Sequence, residues 1–242
     1  MKTDQTSPEG PWQFDQSVTE VFDDMLTRSI PNIEDMRRGV TALAASFLPE
    51  GGVVLDIGCS RGSALAHVLE KRPDVRAIGV EISKPMIAAA REQFANNDNV
   101  TIIEHDLRDG LPDVHADVTL SILTLQFTPI EYRQRIMTAI QERTSKALII
   151  VEKVLGATAE IDNAMVKAYY DMKRLHGYSD EAIERKRLSL EGVLVPVTAA
   201  WNEDLIRSAG WQSVDAFWRW MNFAGWVALS KNALSKHTLS KQ

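Results

Sequence analysis

The spacing of hydrophobic positions changes several times along the chain, and each change predicts an element. Phe14, Val18, Val21, Phe22 and Met25 recur at gaps of three and four, which marks one face of a helix over about Phe14–Leu26. Pro31 breaks it, and a second helix is predicted over Ile33–Phe47. After Gly51-Gly52 the pattern gives way to short unbroken apolar runs: VVLDIGC (53–59), RAIGVEI (76–82), VTIIEHD (100–106), ADVTLSILTL (116–125) and ALIIVEKV (147–154). Runs of this length are strands buried on both faces. Helical stretches over about Ser63–Lys71, Lys84–Phe94 and Glu131–Arg143 separate them. Strands alternating with helices imply βαβ crossovers and a parallel sheet.

The rest of the chain is patterned differently. From about Ala157 to Glu191 it is polar and helical, and two inserted helices are predicted. A short helix over Asn202–Ala209 is stopped by Gly210. VDAFWRW (214–220) and FAGWVALS (223–230) read as a closing pair of strands joined at Met221-Asn222. The fold class expected is α/β and Rossmann-like, with a mostly parallel seven-stranded sheet, N-terminal helices and a helical insert before the last two strands. The divisions are a flexible lead-in (1–10), a helical cap (11–48), a core (49–156), the insert (157–200), the end of the core sheet (201–231) and a flexible tail (232–242).

Composition narrows the function classes. The 242 residues suit one α/β domain with a cap, and 45% hydrophobic residues can fill its core. A net charge of -6 argues against a nucleic-acid partner, which would need a basic face. The lone cysteine, Cys59, excludes an internal disulfide and a thiolate metal cluster, and the five histidines show no metal-ligand spacing, so no metal is expected. No apolar run approaches the roughly 18 residues of a membrane span, and Met1–Gly10 lacks the apolar core of a signal peptide. A cytoplasmic location without a membrane partner is expected.

The chemistry concentrates in Leu55-Asp56-Ile57-Gly58-Cys59-Ser60-Arg61-Gly62, where the first strand meets its helix. Ligands of α/β sheets bind at such strand ends. A dinucleotide site would place a glycine where Asp56 stands, because a carboxylate repels a pyrophosphate. S-adenosylmethionine (SAM) has no phosphate and carries an ammonium and a sulfonium, so an acid suits it. Glu81 ends the second strand at the spacing of an acid that accepts ribose hydroxyls. Asp106 ends the third strand, where it can accept the adenine amine while Leu107 offers a backbone donor. Gly58, Cys59, Gly62, Ile82 and Ile122 complete the expected cofactor wall. Each residue alone has a plainer reading: Glu81 as a solvated strand end, Asp106 as a helix cap, Cys59 as a small packed turn residue rather than a nucleophile. His105 and His115 are expected to be structural or solvated.

These residues resemble the class I SAM-dependent methyltransferases. The likeness is closer to the carboxy-S-adenosylmethionine synthase family, over about Trp12–Lys231. It rests on WQFDQSVTEVFDDMLTRSIP, LDIGCSRG, TLQF (124–127), MKRLHGYSDEAIERKR (172–187) and NFAGWVALSK. The resemblance implies a SAM site at Asp56, Gly58, Glu81 and Asp106, a homodimer, and a pocket roofed by the N-terminal and inserted helices. That family makes a carboxymethyl donor from SAM and prephenate for wobble-uridine modification of tRNA.

Three positions depart from the family pattern. Leu205 stands where the family has an arginine that reads the added carboxylate, Ile33 where it has a tyrosine, and Ile122 where it has an asparagine. Hydrocarbon side chains cannot pair a buried carboxylate. Arg28 and Arg207 are the nearby cations that could take over that role. The residues thus favour SAM as an ordinary methyl donor to a small, partly aromatic acceptor. The alternatives are carboxy-SAM synthesis and a non-catalytic SAM-binding subunit. Candidate acceptor contacts are Arg28, Tyr169, Tyr170, Tyr178, Arg185, Trp218 and Asn222, and no general base is identified.

Overall fold

The computed structural model describes residues 3–6, 8 and 10–234, without the side chains of 232 and 234. The helical cap comprises α1 (Gln16–Ser29) and α2 (Ile33–Phe47). Helix α1 starts two residues later than the apolar spacing suggests, because Asp15 caps it by accepting the Val18 N–H. The core follows as β1 (Val53–Ile57), α3 (Ser63–Lys71), β2 (Arg76–Glu81), α4 (Lys84–Gln93), β3 (Val100–Glu104), β4 (Ala116–Ile122), α5 (Ile130–Arg143) and β5 (Thr144–Leu155). Helices α6 (Ala159–Leu175) and α7 (Asp180–Ser189) form the insert. The chain then continues through β6 (Val197–Thr198), α8 (Ala199–Ser208), β7 (Ser213–Trp220), β8 (Phe223–Leu229) and α9 (Lys231–Leu234).

The strand order is β3-β2-β1-β4-β5-β8-β7, with β8 antiparallel to both of its neighbours. The seven expected strands form this path, and the two-residue β6 adds an eighth by pairing with the end of β5. The order reverses between β1 and β4, which opens a crevice at their carboxyl ends. Alternate residues of β1 enter opposite layers. Val54 packs with α2 and α3 through Val40, Ala44 and Leu65, whereas Leu55 and Ile57 pack with α5 and α8 through Ile136 and Ile206. Among the described residues no helix is long and apolar enough to cross a membrane.

Two local expectations are corrected. Strand β4 stops at Ile122 instead of running to Leu125, and residues Leu125–Phe127 form a 3-10 turn. The Glu152 carboxyl accepts the N–H groups of Leu125 and Gln126, which draws that backbone out of the ladder. The lead-in is also fastened. Asp4 is 4% exposed and accepts from the Tyr178 hydroxyl and from Thr6, contacts that oppose the entropy of a free end. Residues 1, 2, 7 and 9 of the lead-in, and the tail from 235 onward, lie outside the described residues.

Candidate active site

The turn after β1 is shaped by close approach. Gly58 has φ +69°, and a Cβ there would collide with the Thr124 side chain on the neighbouring β4 loop. Its N–H and that of Cys59 both donate to Val80 O, at 2.7 and 3.0 Å, so the turn is tied to β2. Gly62 has φ +85° and lies against the Phe94 ring, behind the crevice wall. Cys59 is buried, and burial with the nearby Asp56 and Glu81 carboxyls pushes its thiol pKa far up. The thiol stays protonated and acts as a packed turn residue, 2.6 Å from where a Cβ on Gly79 would stand.

Three acids occupy the crevice wall, each in a different state. Asp56 is 2% exposed, and its Oδ1 has no hydrogen-bond partner among the described residues. Burial, reinforced by Glu81, pushes its carboxyl up to about 8. Glu81 is held by backbone: Oε2 accepts from Ser60 N at 2.9 Å, and Oε1 accepts from Ile82 N and Ser83 N at 2.8 and 2.9 Å. Asp106 caps the turn that begins at Leu107, and its Oδ2 takes Arg108 Nη2 at 2.6 Å. Its carboxyl is held below the usual range, chiefly by Arg108. The capping role and a place on the cavity wall therefore coexist in this residue. Ile82, Leu107 and Ile122 line the same wall. His105 also lines it and contacts Gly110 O through Nε2, while His115 is exposed elsewhere.

The crevice widens into one cavity of about 1660 Å³, which runs from the strand ends to the underside of α1, α2, α6 and α7. Tyr169 and Tyr170 of α6 line its far end. The other five acceptor candidates do not line it. The Tyr178 hydroxyl donates to Asp4 at 2.5 Å, and the Arg28 guanidinium lies 4.1 Å over the Tyr178 ring and donates to His176 O. These two groups satisfy each other in the roof. Arg185 is exposed and 3.8 Å from Glu181. Trp218 packs on the apolar layer from β7, and Asn222 is buried in the β7–β8 turn.

The cations are not where the sequence pattern suggests. Leu205 is buried on the opposite side of the sheet from Ile33, so it is not part of the wall that Ile33 and Ile122 share. Arg207 is exposed and donates to Val214 O, and Arg28 is engaged in the roof. Neither lines the cavity. The cavity is nonetheless cationic at its far end, through Lys153 of β5, Lys173 of α6 and Lys186 of α7. Burial is the main cause that lowers all three ammoniums below the ordinary range, with Lys173 brought to about 7. The available signal was a lysine interrupting the apolar run of β5, and another four residues after Tyr169 on the same helical face.

Residues 54–146 match the model of a methyltransferase domain. The chain is 38% identical over 224 residues to the carboxy-S-adenosyl-L-methionine synthase of Methylococcus capsulatus, which covers 89% of this chain and 92% of that protein. It belongs to the carboxy-S-adenosyl-L-methionine synthase family. The synthase of Wolinella succinogenes is 37% identical, covering 90% of this chain and 92% of its own. Among solved structures, an O-methyltransferase family protein from Burkholderia thailandensis superposes with a TM-score of 0.62 at 17% identity, over 90% of this chain and 60% of that one. That match reflects the shared fold.

Membership of the synthase family makes the chain a SAM-dependent transferase. The acid end of the cavity fits that cofactor. Asp56 has a buried oxygen without a donor among the described residues, and SAM brings an ammonium and hydroxyls. The turn at Gly58 leaves no room for a side chain between the β1 and β4 loops.

Proposed function

We propose that this protein transfers the methyl group of SAM to a small, partly aromatic acceptor enclosed beneath the helical roof. The observation that carries this reading is the single cavity of about 1660 Å³ joining the three strand-end acids to Tyr169 and Tyr170. Sites for drug-sized ligands take roughly 300–1,000 Å³, so the space suits the cofactor and a small second molecule. The roof, which closes through Trp12 N to Ser189 O and through Asp4 to Tyr178, is unsuited to a polymer.

When bound, SAM supplies a methyl carbon that takes the acceptor's lone pair while the carbon–sulfur pair returns to sulfur. The residues of this chain bind and orient. Asp56 and Glu81 offer oxygens to cationic and hydroxyl groups, and the Gly58 turn lets the ligand approach the backbone. Ile33 and Ile122 present hydrocarbon to the interior, which suits a neutral transferred methyl. A carboxylate set against hydrocarbon would lack a partner at a cost of several kcal/mol. The roof excludes water and holds the acceptor near its attack position.

A second reading is carboxy-SAM synthesis. The names of the relatives favour it, as do the lysines at the far end of the cavity, which can pair a carboxylate. Incubation of the purified protein with SAM and prephenate, with products read by mass, separates the two. The methyltransferase reading expects no carboxy-SAM, and expects transfer of a deuterated methyl group from labelled SAM to a component of a small-metabolite extract. Carboxy-SAM formed over many turnovers would overturn it in favour of the synthase.

A further inference from the structure

We infer that Gln126 selects the atom that receives the transferred group: its side-chain amide donates to an oxygen of the acceptor where that molecule meets the cofactor. The inference rests on the cavity holding an acceptor beside SAM, and it names the reacting atom as an oxygen rather than a nitrogen.

The first argument is what Gln126 has left to offer. It is 5% exposed and lines the cavity from the 3-10 turn after β4. Its N–H donates to Glu152 Oε2 at 2.8 Å, and its carbonyl accepts from Val195 N at 2.8 Å and from Arg133 Nη2 at 3.4 Å. Its side-chain Oε1 accepts from Lys153 N at 2.7 Å. Only Nε2, with its two N–H groups, donates to nothing among the described residues. Nε2 is also not one of the sealed side-chain atoms that lack a partner, so it keeps open surface on the cavity.

The second argument is orientation. An isolated amide can turn end for end, but Lys153 N–H can only donate, so the atom that faces it is oxygen and the atom that faces away is nitrogen. Turning the amide would set two donors against each other and leave a strand N–H unpaired. With both backbone groups of Gln126 also held, the free donor pair is fixed before any ligand arrives.

The third argument is position. Thr124, two residues earlier, stands over the Gly58 turn of the cofactor half, where a Cβ on Gly58 would collide with it. Lys153, tied to the Gln126 side chain, carries its ammonium into the far half, 4.9 Å from the Tyr169 ring centroid. Gln126 therefore stands between the two halves. The wall beside it is hydrocarbon, from Ile122, Leu123, Phe127 and Phe14, with the last two rings packed edge to face at 5.0 Å. The Thr124 hydroxyl is spent on Ile122 O. One donor pair in an apolar wall fixes how a ligand lies and rejects a ligand that leaves it unpaired.

Lone pairs decide the atom. A hydroxyl oxygen has two, so one can accept from Nε2 while the other faces the transferred carbon. A neutral amine has one, and a donor that held it would compete with the reaction. The amide therefore favours an oxygen acceptor.

Two readouts test the inference. The SAM analogue sinefungin carries an amino group where SAM carries its methyl, and S-adenosylhomocysteine carries nothing there. Gln126→Glu keeps an oxygen for Lys153 N–H and places a carboxylate oxygen where Nε2 stands. In titration calorimetry at about pH 8, Gln126→Glu should favour sinefungin over S-adenosylhomocysteine by about tenfold or more relative to wild type. Gln126→Met, without charge, should leave that ratio within about threefold, and S-adenosylhomocysteine affinity should hold in both variants. An unchanged ratio in a Gln126→Glu protein with a wild-type thermal midpoint would overturn the inference. The second readout needs only Gln126→Met, so it stands even if the acidic variant does not fold. Wild-type protein with SAM labelled in its methyl carbon and a small-metabolite extract should place the label on oxygen, as told by its carbon chemical shift. Gln126→Met should form that product at least about tenfold more slowly at saturating SAM. Label on nitrogen or carbon, or a wild-type rate in Gln126→Met, would overturn the inference. Carboxy-SAM formed from SAM and prephenate in place of methyl transfer would sink the underlying reading, and the sinefungin ratio would still decide whether Gln126 faces the transferred group.

Discussion

Glu152 accepts the backbone N–H of Gln126 at 2.8 Å, and Gln126 in turn accepts the N–H of Lys153 through its side-chain Oε1 at 2.7 Å. The end of β5 and the loop after β4 are thereby locked in both directions. Glu152 also takes the Leu125 N–H, and is 2% exposed. Glu152→Ala strands two buried donors, each worth about 1–3 kcal/mol. A urea midpoint that reports a loss below about 0.5 kcal/mol would contradict this account of the loop.

Gly58→Ala should weaken SAM binding by more than about tenfold with secondary structure retained, because the added methyl meets Thr124 and the residue keeps a positive φ. Gly58→Ala with Thr124→Gly removes the collision but not the backbone strain, so it should recover affinity only in part. Calorimetric titration with SAM compares the two, and equal affinities in both variants would disprove the collision.

Asp56 makes SAM binding pH-dependent. Its folded carboxyl lies near 8, above the unfolded value near 3.8, so the ligand-free protein holds a proton that the unfolded chain releases. That contribution to stability is full below about pH 4 and is lost as the pH rises through about 8. A cationic ligand favours the ionised form, so SAM affinity should rise between about pH 6 and pH 8 with release of a proton. Asp56→Asn should flatten the profile. A profile that stays steep in the variant would assign the proton to another group.

Lys173→Met should stabilise the ligand-free protein at neutral pH. The folded ammonium titrates near 7 against an ordinary 10.5, so the unfolded chain binds the extra proton between these values. Wild-type stability should therefore climb from about pH 7 to pH 10 through this group, and the advantage of the variant should shrink over that range. Thermal midpoints at the two ends of the range check the sign.

The sheet was legible because each parallel strand is a short apolar run between turn residues, and α2 and α3 appear at their predicted bounds. Strand β5 begins three residues earlier than its apolar run, since Thr144 joins the ladder with its hydroxyl 2.6 Å from that of Thr119. Strand β6 is two residues long and has no period to detect. The three acids could be placed because a strand end is a position in sequence as well as in space. The lysines could not, because lysine reads as solvent-facing until β5, α6 and α7 are packed together. Arg28 and Tyr178 are the converse: their residue types suggested ligand contacts, but they stack on each other.

The roof over the cavity is sewn from the N-terminal segment and the helical insert. Arg28 to His176 spans 148 residues, and Tyr178 to Asp4 spans 174. Contacts of such separation close very large loops, and they gain nothing until the sheet between them has brought the ends together. The cofactor half of the cavity, built from adjacent strands, can be complete while the acceptor half has no lid. Order of assembly thus separates the two ligands: a nascent or partly opened chain retains the elements that meet the cofactor before it acquires those that choose its partner.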